Sequence, residues 1–289
     1  MEPGVKSVIR RLLGPKLYHN IAISMRGRRE RRQIAGFFAS DAGRRTRERL
    51  IALKDRHKGR RAFIIGNGPS LNKMDLSRLK DEVTIGSNGI FLALDRLGGS
   101  PTYYTIEDQL VAEDRNREAA QIPDTQRIYP LDLKGVLDEA GAPIWVPFRR
   151  NYSPFPQFGT DLSECAYWGG TVTFFNIQLA FFLGCDPIYI IGCDHNYVLK
   201  GDEAVEGARI TSTSDDINHF HPDYFGKGYR WHDPNVARME TAYLLARDVA
   251  RQHGRSIYNA TVGGHLEVFE RKDFDSLFQK ASHSATSDD

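Results

Sequence analysis

The stretch "AFIIGNGPSL", residues 62–71, constrains the fold more than any other part of the chain. A short apolar run stops at two glycines and a proline, and the pattern then turns amphipathic. A run of this kind suits a strand buried on both faces, and Pro69 suits the first turn of a following helix. The same alternation continues downstream. Residues 82–88, 102–108, 127–131, 143–148, 187–194 and 256–261 read as strands. Residues 90–97, 109–122 and 170–184 read as helices. Another helix opens with Asp233 as N-cap and Pro234 at its first position. It carries an apolar stripe at Val236, Met239, Tyr243, Ala246 and Ala250 and stops at Gly254. Strands alternating with helices at this spacing predict an α/β fold: a Rossmann-like, doubly wound, mostly parallel sheet.

The net charge of +2 conceals a division. Residues 1–61 hold 18 Lys/Arg against five Asp/Glu, whereas the remainder is acidic. The expected organisation is a basic, amphipathic, helical arm over 1–59 and a catalytic domain over 60–280, followed by a disordered tail at 281–289. The arm alternates apolar patches (Val8, Ile9, Leu12, Leu13, Leu17; Ile21, Ile23; Ile34, Phe37, Phe38) with "RGRRERR". Such a segment suits an anionic membrane surface, or it packs on the body as solvated helices. Nucleic acid ranks last, because an acidic body offers no groove for a phosphate backbone. No apolar run approaches the roughly 18 residues of a membrane span, and the N-terminus lacks a signal-peptide pattern. Cys165, Cys185 and Cys193 are odd in number and form no CxxC pair. They fit reduced thiols in a cytoplasmic protein and argue against a disulfide framework or a zinc site.

In doubly wound sheets, ligands bind outside the carboxyl ends of the strands. Those ends carry Asn67, Ser87-Asn88, Glu107-Asp108, Cys193-Asp194-His195 and Asn259 with Thr261. One polar ending is a cap; five together predict a site. Gly66 and Gly68 allow close backbone approach to a ligand, with Ser70 beside them. The motif is GxGxxL, without the third glycine of a dinucleotide fingerprint or the Lys-Ser/Thr of a P-loop. An NAD site is therefore disfavoured. "YWGGTVTFFN", residues 167–176, is a second small-residue entry into a helix. There Gly170 and Thr171 either present donors to a phosphate or simply cap the helix.

Residues 195–232 show no apolar period, which predicts a lid. The segment carries His219, His221 and His232 among Tyr224, Tyr229, Arg230 and Trp231. A lid histidine facing a nucleotide would serve as general base, and His-x-His beside an aspartate also permits a metal. "DFD" at 273–275 matches the acidic triplet of metal-dependent sugar transferases, but it lies in a short terminal helix and reads as surface charge.

"GNGPSL", "GSN", "GGTV", "IYIIGCD" and a His/Tyr-rich lid occur in this order over about residues 60–262. The set resembles the bacterial lipooligosaccharide sialyltransferases and the related MptE-like group, named for an archaeal 6-hydroxymethylpterin diphosphokinase. The sialyltransferase resemblance implies a Rossmann-like domain with a lid, a CMP-linked nonulosonic acid as donor, and no metal or other cofactor. By position it implies nucleotide contacts from Gly66, Asn67, Gly68, Ser70, Asn88, Gly170, Thr171 and Asp194. Tyr197 would touch a phosphate, and His221, or next His232, would be the base. Glu107, Asp108, His195 and Tyr224 would meet the sugar or the acceptor, a surface glycan or glycolipid. The family's arginine ahead of "GGTV" is absent, since Ala166-Tyr167-Trp168 stand there, and Asn196 displaces the expected tyrosine to Tyr197. The donor sugar is thereby left open. The diphosphokinase alternative needs Mg²⁺ held by Glu107, Asp108 and Asp194. A non-catalytic nucleotide-binding scaffold is the third expectation.

Overall fold

The computed structural model describes residues 11, 13–198, 204–206, 209–232 and 234–279. The expected apolar patch at Val8, Ile9 and Leu12, the Asp233 cap and the 281–289 tail lie outside them.

Eight parallel strands form the central sheet. In chain order they are β1 (Ala62–Ile65), β2 (Val83–Ser87), β3 (Tyr103–Thr105), β4 (Gln126–Pro130) and β5 (Ile144–Val146), then β8 (Ile188–Ile191), β12 (Ile257–Asn259) and β13 (Glu270–Arg271). Two short strands between β5 and β8 pair only with each other: β6 (Phe148–Arg149) and β7 (Ala166–Tyr167). The expected strand over 143–148 is thus two. Pro147 divides them, and its carbonyl accepts from Ala166 N at 2.8 Å. The spatial order is β13-β12-β8-β1-β2-β3-β4-β5. The chain therefore winds outward from β1 to β5 and then returns to the other side of β1. The direction of winding reverses between β1 and β8, where Ala62 pairs with Ile188 and Ile65 with Ile191.

Both faces of the sheet are covered, as the apolar strands require. Along β1, Ala62 and Ile64 enter one core and Phe63 and Ile65 the other. The first core is closed by α5 (Val172–Phe182) and α6 (Val236–Gln252). The second is closed by 3-10 turns, by α3 (Leu94–Leu97) and α4 (Gln109–Gln121), and by the lid residues Phe220 and Tyr224. The α6 cap is Asn235, whose side chain accepts from Arg238 N. The predicted helix start at Pro234 is therefore two residues early.

Among the described residues the arm holds the helices α1 (Pro15–Ala39) and α2 (Asp41–Ile51), joined at Ser40, whose side chain caps α2 through Gly43 N. A Cβ on Gly43 would stand 2.1 Å from Phe37 O, so glycine permits this tight turn. Leu50 and Leu53 are buried in the first core, which fixes the arm to the body. The lid has more regular structure than its lack of period suggests. β9 (Ala204–Glu206), β10 (Arg209–Thr211) and β11 (Arg230–His232) form a small antiparallel sheet.

Candidate active site

The "GNGPSL" and "GCD" segments meet at the reversal point and fasten to each other. Gly66 N donates to Ile191 O at 2.7 Å and Gly68 N to Gly192 O at 2.8 Å. Asp194 then reaches across and accepts from Ser70 N at 3.2 Å and Ser70 Oγ at 2.6 Å. A Cβ on Gly66 would lie 2.4 Å from Gly192 O, and one on Gly68 only 1.8 Å from Asp194 Oδ2. The glycines thus admit a neighbouring turn while also lining the adjacent cavity. Ser70 is buried in this clasp and does not line the cavity.

Beside the clasp lies a cavity of about 590 Å³, walled by the carboxyl ends of the strands, the start of α5, the start of α6 and the lid. Gly66, Asn67, Gly68, Asn88, Gly170, Thr171 and Asp194 all line it. So do Glu107, Asp108, His195, Tyr197, Tyr224 and His232. The last strand end does not. Asn259 Nδ2 donates to Leu266 O and Thr261 Oγ1 accepts from Cys193 N, so both residues brace the adjacent loops.

Asn67 and Asn88 each hold a buried amide oxygen with no hydrogen-bond partner. Asn88 adopts a left-handed conformation (φ 51°), which asparagine tolerates better than most residues. Tyr104 OH fixes its carbonyl at 2.5 Å. Gly89 lets the Tyr224 ring close over this turn, because a Cβ there would stand 2.5 Å from the ring. Buried polar groups are rarely left unpaired, and these two amide oxygens are free to accept from a polar group in the cavity.

The three acidic strand ends are all engaged by the protein. Asp194 holds Ser70. Glu107 is paired with Arg150, which also pairs with Asp132 and donates from Nη2 to Glu107 O at 2.6 Å. Burial lifts Glu107 above the usual carboxylate range, with Arg150 opposing it. Asp108 caps α4, accepting from Leu110 N at 2.7 Å and Val111 N at 3.2 Å, and its other oxygen lies 2.6 Å from His232 Nδ1. Burial pushes the Asp108 carboxyl up, but His232 and the backbone donors outweigh it and hold it low. The hydrogen bond to Asp108, with the nearby negative charge, raises His232 above its ordinary value. With Nδ1 held in this way, Nε2 is the nitrogen left for chemistry.

The lid places its histidines differently with respect to the cavity. His221 accepts from Asp223 N through Nδ1 and does not line the cavity. His219 does line it, with Nδ1 2.6 Å from Asp216 Oδ2 and its ring stacked on Tyr224 at 3.9 Å. Burial pushes Asp216 up, but the His219 contacts and backbone N–H groups bring it below its usual value. His195 is buried with φ 55°, its Nε2 3.4 Å from Glu240, and burial lowers its pKa.

Cations and donors that sequence reading missed complete the wall. Arg150 and Asn151 come from the loop after β6, and Arg238 from the first turn of α6. The Arg238 guanidinium lies 5.2 Å from the Trp168 ring, and no carboxylate pairs with it among the described residues. Trp168 occupies the segment where the resembling family has its arginine, so a cation reaches this region from another helix. Trp231 lines the cavity with a buried, unpartnered Nε1. At the start of α5, Gly170 has φ 91° and Thr171 caps the helix through Thr173 N. Among the described residues, no group of three or more His, Cys, Asp or Glu is placed to hold a metal ion.

The profile of the family described as "6-hydroxymethylpterin diphosphokinase MptE-like" matches residues 44–199, more than half of the chain. The chain belongs to the MptE-like family. The match takes in the clasp, the polar ends of β1, β2, β3 and β8, and the start of α5; most of the lid and all of α6 lie beyond it. A search of curated proteins finds no match. Among the described residues, no helix is long and apolar enough to cross a membrane.

Proposed function

We propose that the chain is a glycosyltransferase that moves a sugar from a nucleotide donor, a CMP-linked nonulosonic acid or a similar one, to a glycan or glycolipid acceptor. The observation that carries this reading is the His232–Asp108 pair beside a cavity at the reversal point of the sheet. Asn67 and Asn88 would take the base or ribose, and the phosphate would lie toward Gly170, Thr171, Arg238 and Trp231. The acceptor hydroxyl loses its proton to His232 Nε2 as its oxygen attacks the anomeric carbon. The bond from that carbon to the phosphate oxygen breaks, and the electron pair leaves with the nucleotide. Arg238, the Trp231 N–H and the helix start offset the developing charge. His219, held by Asp216, faces the same cavity and orients the acceptor or donor.

The family name favours a second reading, transfer of pyrophosphate from ATP to a pterin alcohol. That chemistry places Mg²⁺ on carboxylates near the phosphates. Each candidate carboxylate here is already bound to a serine, an arginine or a histidine, which supports the glycosyl reading. Thermal shift with CMP, CDP, UDP, GDP and ATP, with and without Mg²⁺, separates the two. A CMP shift that survives EDTA is expected. A shift with ATP that requires Mg²⁺ would replace the proposal with the diphosphokinase.

A further inference from the structure

Helix α1 has two dissimilar faces. Gly27, Glu30, Ile34 and Phe38 turn toward the body. Glu30 accepts from Asn151 N at 3.1 Å and lies 3.5 Å from Arg149, and Gly27 abuts Asn151 O. On the outer side Leu17, Ile21 and Met25 are 51%, 39% and 62% exposed. At four-residue spacing they drift by roughly 40° per step and stay on one sector of the helix. Arg28 and Arg32 continue that sector and are exposed. The expected amphipathic arm is therefore divided along its length: apolar outward in its first half, cationic outward in its second. The helix contains six Lys/Arg and a single acidic residue, Glu30, which is turned inward.

We infer that this outer face of α1 docks on an anionic bilayer, with Leu17, Ile21 and Met25 entering the acyl boundary and Arg28 and Arg32 at the phosphate headgroups. Charge decides the occupant. A second copy of this face would add cations and no carboxylate, whereas an anionic surface complements the cations and an interface accepts the exposed apolar groups. The tie from Glu30 to Asn151, a cavity-lining residue, makes docking hold the cavity at a fixed attitude to the membrane. The inference depends on no step of the proposed transfer, so either stands if the other fails.

The test is co-sedimentation of the full-length chain with vesicles of phosphatidylcholine, alone or mixed with phosphatidylglycerol. Pelleting with the mixed vesicles only is expected. Arg28→Glu with Arg32→Glu should abolish it. Ile21→Glu with Met25→Glu should weaken it about tenfold or more at unchanged salt. Both variants change only exposed side chains, and circular dichroism verifies their fold. The inference is overturned by a wild-type chain that stays in the supernatant with mixed vesicles, or by an Ile21→Glu/Met25→Glu chain that pellets like the wild type. A lipid-free dimer in sedimentation velocity, lost in that same variant, would also overturn it by assigning the face to a second copy.

Discussion

Asp194 Oδ2 occupies the place a Cβ of Gly68 would need, 1.8 Å from its ideal position. "GNGPSL" and "GCD" thus form one object in space, although 124 residues separate Ser70 from Asp194. Gly68→Ala should displace the carboxylate from Ser70 and cost about 1.5–3 kcal/mol, the range of charge-assisted hydrogen bonds. Urea unfolding reads the loss. The same change in an Asp194→Ala background should cost less, because the carboxylate and its bonds are already gone and only the 2.9 Å contact with Gly192 O remains. Equal costs in both backgrounds would refute the clasp.

The His232–Asp108 pair predicts an acid limb in the pH–rate profile. A base must be neutral, and Asp108 raises the His232 pKa above its ordinary 6.5. Activity should therefore fall as pH drops through a value above 6.5. Asp108→Asn should move that limb to lower pH, and His232→Gln should lower kcat by about 10²–10⁴ with KM little changed. The pair also fastens the lid to the end of β3. Because the His232 pKa is raised, this contribution to stability is complete below 6.5 and is lost as pH rises through the folded-state value. Limited proteolysis of the lid should accelerate over that upper window.

His219 and His221, two residues apart, make opposite predictions. His221→Ala should leave kcat within about twofold, because its ring lies off the cavity and a surface change of this kind is usually near neutral. His219→Ala removes the ring stacked on Tyr224 and leaves Asp216 with only its backbone donors, Asn218 N and Phe225 N. It should raise KM and loosen the lid. Steady-state kinetics on the two variants decide between them.

What the sequence disclosed follows from what is local. Alternating apolar runs placed the eight-stranded sheet except for β13, which is only two residues long. The strand-end rule pointed to Asn67, Asn88, Asp108 and Asp194 because each lies within three residues of the end of its strand. Arg238 escaped because its position within α6 looks like any solvent-facing helix residue; only the tertiary fold sets it over Trp168. Arg150 escaped because Pro147 splits the expected strand and redirects the following loop into the cavity. The lid histidines were visible but not rankable. Which of them acquires an aspartate depends on contacts such as His232 with Asp108, 124 residues apart.

Arg238 carries a prediction for the donor. Its guanidinium lies over the Phe155 and Trp168 rings and pairs with no carboxylate among the described residues, so it keeps its donors for an anion. Arg238→Met retains much of the stem packing and should weaken nucleotide binding about 10–100-fold, as expected for one charged hydrogen-bonding partner. Calorimetric titration with CMP measures it. An unchanged affinity would place the phosphate elsewhere in the cavity.

Glu30 extends the site into the arm. Its carboxylate accepts from Asn151 N at 3.1 Å and pairs with Arg149, bracketing Arg150 in the loop that reaches Glu107. Removing it leaves the Asn151 donors without their acceptor and the Arg149 guanidinium without its countercharge, although Arg149 still donates to Asn151 O. Glu30→Ala should therefore cost about 1–3 kcal/mol locally. The lost constraint should let residues 149–151 drift, raising KM for a water-soluble acceptor while vesicle pelleting stays at the wild-type level. Glu30→Gln keeps one acceptor oxygen for Asn151 and should recover part of the loss. A merely solubilising arm would give neither effect: KM would be the same in wild type, Glu30→Ala and Glu30→Gln.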